Sequence, residues 1–168
     1  FNFANAANFS QRSFIDDQHF QPGNPIFFYT GNEAPIETFI NNTGILFEWA
    51  PHFNAMVVFC EHRFYGESIP FGVMNETTIH FLTIEQAIAD FSTFVVALKQ
   101  RYKTESSPVI AFGGSYGGVL SLFARLKQPN VFAGALASSA PPLKKKLRSS
   151  NDFNVIVTQA YGNVSSHC

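Results

Sequence analysis

The chain has 168 residues, 46% of them hydrophobic, with 20 phenylalanines and a formal net charge of −1, which suits one globular domain with a large core. So small a charge offers no electrostatic footprint for nucleic acid or an anionic membrane surface, and no apolar run approaches the roughly 20 residues that span a bilayer. Cys60 and Cys168, the 2 cysteines, exclude a disulfide-dense scaffold.

Residues 3–20 offer at most a hairpin of unclear register. Pro25-Ile26-Phe27-Phe28-Tyr29-Thr30 reads as a buried strand ending at Gly31. A short helix is expected over 45–50, then a second buried strand, Ala55-Met56-Val57-Val58-Phe59-Cys60. Near-continuous apolar runs of this kind suit a parallel sheet covered on both faces. The clearest helix spans 83–102. Thr83 and Gln86 match a capping box, and Ile84, Ala87, Ile88, Phe91, Val95 and Leu98 recur at helical spacing. Pro108-Val109-Ile110-Ala111-Phe112 is a third strand, residues 116–126 a helix stopped by Pro129, and residues 131–137 a fourth strand. Strands alternating with helices predict an α/β class with a mostly parallel sheet. The rhythm fails after Pro142, so residues 1–142 read as one partial domain and 143–168 as the start of another subdomain. The basic run Lys144, Lys145, Lys146 and Arg148 reads as a solvated face. Cys60 reads as a small buried hydrophobe. The start at Phe1 is expected to be a processed or cut end, and Cys168 to pair with chain beyond it.

Sequons occur at Asn8, Asn41, Asn75 and Asn163, a mild pointer to a secretory route. Nothing in the chain calls for a metal ion or a cofactor.

The chemistry concentrates in Gly113-Gly114-Ser115-Tyr116-Gly117-Gly118, set between a predicted strand and a predicted helix. This is the arrangement of a nucleophile elbow. The serine needs a sharp turn to lift its hydroxyl clear of the sheet. Gly113 and Gly117, two residues before and after, must let neighbouring backbone approach. The helix aims its first N–H groups at a developing oxyanion, the Tyr116 N–H first among them. A second donor in such folds comes from the loop after an earlier strand, where Gly31, Asn32 and Glu33 stand. That loop reads equally as an ordinary Gly-Asn turn. Glu61-His62-Arg63 follows the second strand. It could edge the site or form a structural ion-pair knot beneath the elbow, and the structural reading is preferred because buried charges are normally paired.

At these residues the sequence resembles the prolylcarboxypeptidase and dipeptidyl peptidase II family of serine peptidases. The matching blocks are Phe27-Phe28-Tyr29-Thr30-Gly31-Asn32-Glu33, Asn41-Asn42-Thr43-Gly44, Glu61-His62-Arg63-Phe64-Tyr65-Gly66-Glu67-Ser68, Leu82-Thr83-Ile84-Glu85-Gln86-Ala87, the Ser115 elbow and Gly134-Ala135-Leu136-Ala137-Ser138-Ser139-Ala140-Pro141. The resemblance covers almost the whole chain. It implies an α/β-hydrolase fold with an inserted helical cap that begins over 143–168, cleavage after proline near a peptide terminus, and a lysosomal or secreted setting. A homodimer of the full-length protein would be compatible with it. The direction stays open between release of a C-terminal residue after proline and release of an N-terminal dipeptide. Three positions depart from the family pattern: Ala34 for a usual glycine, Cys60 for alanine and Val119 for methionine.

In this fold the chain order is Ser, then an acid, then His. Only Asp152 and His167 follow Ser115 in that order, and neither has the required strand before it. The partners of Ser115 are therefore expected outside these 168 residues, which makes the chain alone an incomplete and nearly inert fragment. An esterase with the same elbow and a catalytically silent binding module are the competing readings.

Overall fold

A computed structural model of the protein describes residues 8–141 and 152–165. The basic cluster at Lys144, Lys145, Lys146 and Arg148, together with His167 and Cys168, lies outside them.

The apolar runs form the centre of a five-stranded sheet in the order β1-β3-β2-β4-β5. All residues of β2 (Ile26–Thr30) and β3 (Met56–Cys60) are buried, as expected of strands covered on both sides. β4 (Val109–Gly114) lies parallel to β2, and β5 (Gly134–Ser138) parallel to β4. Successive side chains point to opposite faces. Ile26, Phe28, Met56, Val58, Val109 and Ala111 join one core with Phe91, Leu120 and Phe132. Phe27, Tyr29, Val57, Phe59 and Phe112 join the other with Ile36, Leu46 and Ala50. The phenylalanines do much of the filling: Phe28 meets Phe91 and Phe132 edge-on at 5.6 and 5.8 Å, geometries that add to simple area burial.

Two helices cover the first face. α3 (Ile84–Tyr102) starts where the Thr83 side chain accepts from the Gln86 N–H at 3.2 Å and ends at Lys103 in the left-handed region. α4 (Tyr116–Lys127) follows Ser115 directly. α1 (Ile36–Asn42) and α2 (Ile45–Phe53) belong to the second face. A further helix, α5 (Asp152–Val164), carries exposed Val155, Ile156, Tyr161 and Val164.

Several elements differ from expectation. Among the described residues the N-terminal segment makes no hairpin. It supplies one strand, β1 (Ser13–Asp16), paired antiparallel with β3. α1 escapes the sequence pattern because it buries only Ile36 and draws its cap from Glu61, whose Oε1 accepts the Ile36 N–H at 3.0 Å. α2 runs past Pro51 to Phe53, closed by Asn54 in the left-handed region. β5 begins at Gly134 rather than at 131, because Phe132 turns into the core instead.

Candidate active site

Ser115 stands between β4 and α4 with φ 54° and ψ −122°, a conformation that L residues rarely adopt. Its N–H donates to the Ser138 carbonyl at 3.0 Å, and its carbonyl accepts the Val119 N–H at 3.1 Å. The residue is exposed. The flanking glycines explain how so sharp a turn closes. A methyl on Gly113 would collide with the Gly117 carbonyl, and one on Gly117 would meet the Thr30 oxygen at 2.9 Å and Asn32 Oδ1 at 3.1 Å. The first N–H groups of α4, Tyr116 foremost, have no intrahelical partner and carry the positive end of the helix dipole.

The loop after β2 lies against this turn. The Thr30 hydroxyl is 2.8 Å from the Gly117 carbonyl and 3.1 Å from that of Phe112. The Gly31 N–H donates to the Cys60 carbonyl at 3.0 Å. Asn32 is buried; its Nδ2 donates to Glu33 Oε2 at 2.9 Å, and its Oδ1 has no partner among the described residues. Glu33 is exposed.

The Glu61-His62-Arg63 run divides. Glu61 is fully buried. Its Oε2 accepts the Glu67 and Ser68 N–H groups, both at 3.0 Å, and the Ser68 hydroxyl at 2.6 Å, while Oε1 caps α1. Arg63 makes a two-pronged pair with Asp90 of α3, both contacts 2.6 Å, and Nη1 donates to the Phe81 carbonyl at 3.0 Å. Only His62 turns to the site. Its Nδ1 lies 2.6 Å from the Arg63 carbonyl and its Nε2 3.2 Å from the Tyr116 hydroxyl. Burial pushes the Tyr116 phenol up to about 12, helped by neighbouring Tyr65, Glu33 and Glu85.

This arrangement presents a serine hydroxyl beside unpaired N–H donors, which suits acyl transfer. No described residue hydrogen-bonds Ser115 Oγ. His19, His52 and His80 are exposed and precede the serine in the chain. Asp152 opens α5. Among the described residues no group of three or more His, Cys, Asp or Glu is placed to hold a metal ion, and no helix is long and apolar enough to cross a membrane. Asn8, Asn41, Asn75 and Asn163 are all exposed.

The profile of the family described as serine carboxypeptidase S28 matches residues 1–168. The chain belongs to the serine carboxypeptidase S28 family. This S28 chain is 43% identical to human lysosomal Pro-X carboxypeptidase across its whole length, covering 35% of that protein. It is 47% identical to prolyl carboxy peptidase like protein 5 of Caenorhabditis elegans over 84% of the chain and 29% of the relative. The S28 chain therefore spans about a third of the length of the curated relatives it matches. Among solved structures, the proline iminopeptidase of Mycobacterium smegmatis superposes with a TM-score of 0.54 at 15% identity, covering 95% of this chain and 56% of that one. That likeness shows the fold, an α/β hydrolase.

Two residues of the S28 chain escape sequence reasoning. Ser68 completes the shell around Glu61, and Asp90 sits in the apolar stripe of α3. The latter had a signal, a lone carboxylate among core positions, because a buried charge demands a partner.

His62 also has a consequence for stability. Burial holds its imidazole below the usual range, against the opposing pull of the Arg63 carbonyl and Asp90. The unfolded chain therefore takes up the proton first, near pH 6.5. Stability contributed by neutral His62 is complete above that pH and is lost as pH falls toward the folded value, at up to about 1.4 kcal/mol per pH unit. Urea unfolding between pH 7 and 5 is expected to show this slope, and His62→Gln to remove that part of it.

Proposed function

We propose that this chain supplies the nucleophile of a serine exopeptidase that releases a C-terminal residue following proline. The observation that carries the reading is the strained Ser115 turn, φ 54° and ψ −122°, between β4 and α4. Ser115 Oγ attacks the carbonyl carbon of the prolyl residue. The oxyanion then accepts from the Tyr116 N–H and from an N–H of the Gly31-Asn32-Glu33 loop. Collapse expels the C-terminal amino acid and leaves a prolyl ester on Ser115, which water hydrolyses. The base that takes the Ser115 proton is a histidine, oriented by an acid, from chain outside these residues. His62 does not serve, because its Nε2 is already engaged by Tyr116.

Proline selectivity and the carboxypeptidase direction are supported by the likeness to the lysosomal Pro-X carboxypeptidases, at 42–43% identity. The same relatives and the exposed sequons support a glycosylated protein of the lysosome. Residues 143–168 are assigned to the start of an inserted helical cap, of which α5 is part.

The test compares two peptides with the full-length peptidase: one blocked at its N-terminus and ending in Pro-Phe, the other beginning with a free Xaa-Pro and blocked at its C-terminus. Release of phenylalanine from the first is expected. Dipeptide release from the second alone would reverse the direction, and turnover of neither would favour a silent module.

A further inference from the structure

We propose that His62 is a positioning residue for the oxyanion site: through the Tyr116 hydroxyl it fixes the backbone whose N–H receives the oxyanion. The inference rests on the reading of Ser115 as nucleophile.

Hydrogen-bond logic sets the protonation pattern. The Arg63 carbonyl can only accept, so Nδ1, 2.6 Å away, carries the ring proton. In the neutral imidazole Nε2 is then an acceptor, and the Tyr116 hydroxyl at 3.2 Å donates to it. The ring has no freedom to choose otherwise. His62 is fully buried, with Tyr65, Phe91 and Tyr116 rings centred 5.3, 6.3 and 5.5 Å away. The anchor behind it is firm, because Arg63 is held by Asp90. A continuous set of links therefore runs from α3, through Asp90, Arg63 and His62, to the first residue of α4.

That first residue is where a tether matters. The Tyr116 N–H makes no helical hydrogen bond. Among the described residues its peptide plane is otherwise held through the Ser115 carbonyl, by the Val119 N–H. Two anchors on one residue, main chain and side chain, define the direction of the N–H before substrate arrives. Preorganised donors of this kind lower the barrier because they need not reorient during reaction. Simple satisfaction of two buried polar groups would cost stability when lost but would leave the acylation rate unchanged.

The experiment measures fluorophosphonate acylation of Ser115, with kcat and KM, in the full-length peptidase carrying Tyr116→Phe, His62→Leu, both, or His62→Gln. Tyr116→Phe and His62→Leu are each expected to slow acylation about tenfold or more, with KM changed less than about twofold. The double variant should be no slower than the slower single. His62→Gln keeps an acceptor near the place of Nε2 and should recover most of the rate. Wild-type acylation rates in both single variants, or losses that simply multiply, overturn the proposal. If the unmodified peptidase is not labelled at all, the nucleophile reading fails by itself. The tether is then judged by 15N NMR of His62, where protonated Nδ1 with bare Nε2 is expected and the reverse tautomer refutes it.

Discussion

Replacing Ser115 by alanine is expected to abolish fluorophosphonate labelling of the full-length peptidase and to cut turnover by on the order of 10⁶-fold, the scale on which serine hydrolases respond to loss of the nucleophile. Residual turnover from the oxyanion donors alone would remain. The fold should survive, because Ser115 is exposed and its main-chain bonds to Ser138 and Val119 do not involve the hydroxyl. Glycine at the same place gives an internal control. Alanine keeps the backbone strain at φ 54°, whereas glycine relieves it. Ser115→Gly should therefore be equally inactive but more stable than Ser115→Ala, by about 1 kcal/mol. Labelling that persists in either variant would place the nucleophile elsewhere.

The largest stability effect is expected at Asp90. Arg63 and Asp90 are both nearly buried, 5% and 8% exposed. Asp90→Ala strips the guanidinium of its two 2.6 Å contacts and leaves, among the described residues, the Phe81 carbonyl and the face of the Phe9 ring, 5.5 Å away, neither of which carries a compensating charge. An uncompensated buried charge of this kind costs about 3–5 kcal/mol. Removing both charges together, as Arg63→Met with Asp90→Leu, should cost far less, because the desolvation penalty disappears with the attraction. Chemical denaturation of the single and double variants measures both quantities. A double variant as unstable as Asp90→Ala would mean that the pair contributes shape rather than charge compensation.

The parts of the fold legible in the sequence are those whose information is local. β2, β3 and β4 announce themselves as uninterrupted apolar runs, and α3 by Thr83, Gln86 and a stripe of one residue in three or four. The Ser115 turn is legible because its glycines lie within two residues of it; Gly113 answers to contacts inside the turn, whereas Gly117 answers to Thr30 and Asn32 of the loop after β2, a contact the local pattern does not show. Illegible parts depend on distant partners. The cap of α1 is Glu61, 25 positions away. β1 finds its place beside β3, which lies 40 residues further on and runs the opposite way. The division of Glu61-His62-Arg63 into an α1 cap, a Tyr116 partner and an α3 ion pair depends on alternation of side chains beyond the end of β3. Three adjacent residues do not reveal which neighbours each will meet.

The two flanks of the sheet are finished differently. β1, only four residues long and antiparallel, blunts one flank. Among the described residues β5 has no strand on its other side, and its Ala135, Leu136 and Ser138 are exposed. Such a margin is a template that accepts any extended segment reaching it first. During synthesis a chain that has just formed β5 holds this template open while ribosome-bound residues are still emerging. Crowding by sister copies at that moment competes with correct completion, so yield on expression should depend on temperature and on chaperone supply more steeply than the stability of the finished domain would suggest.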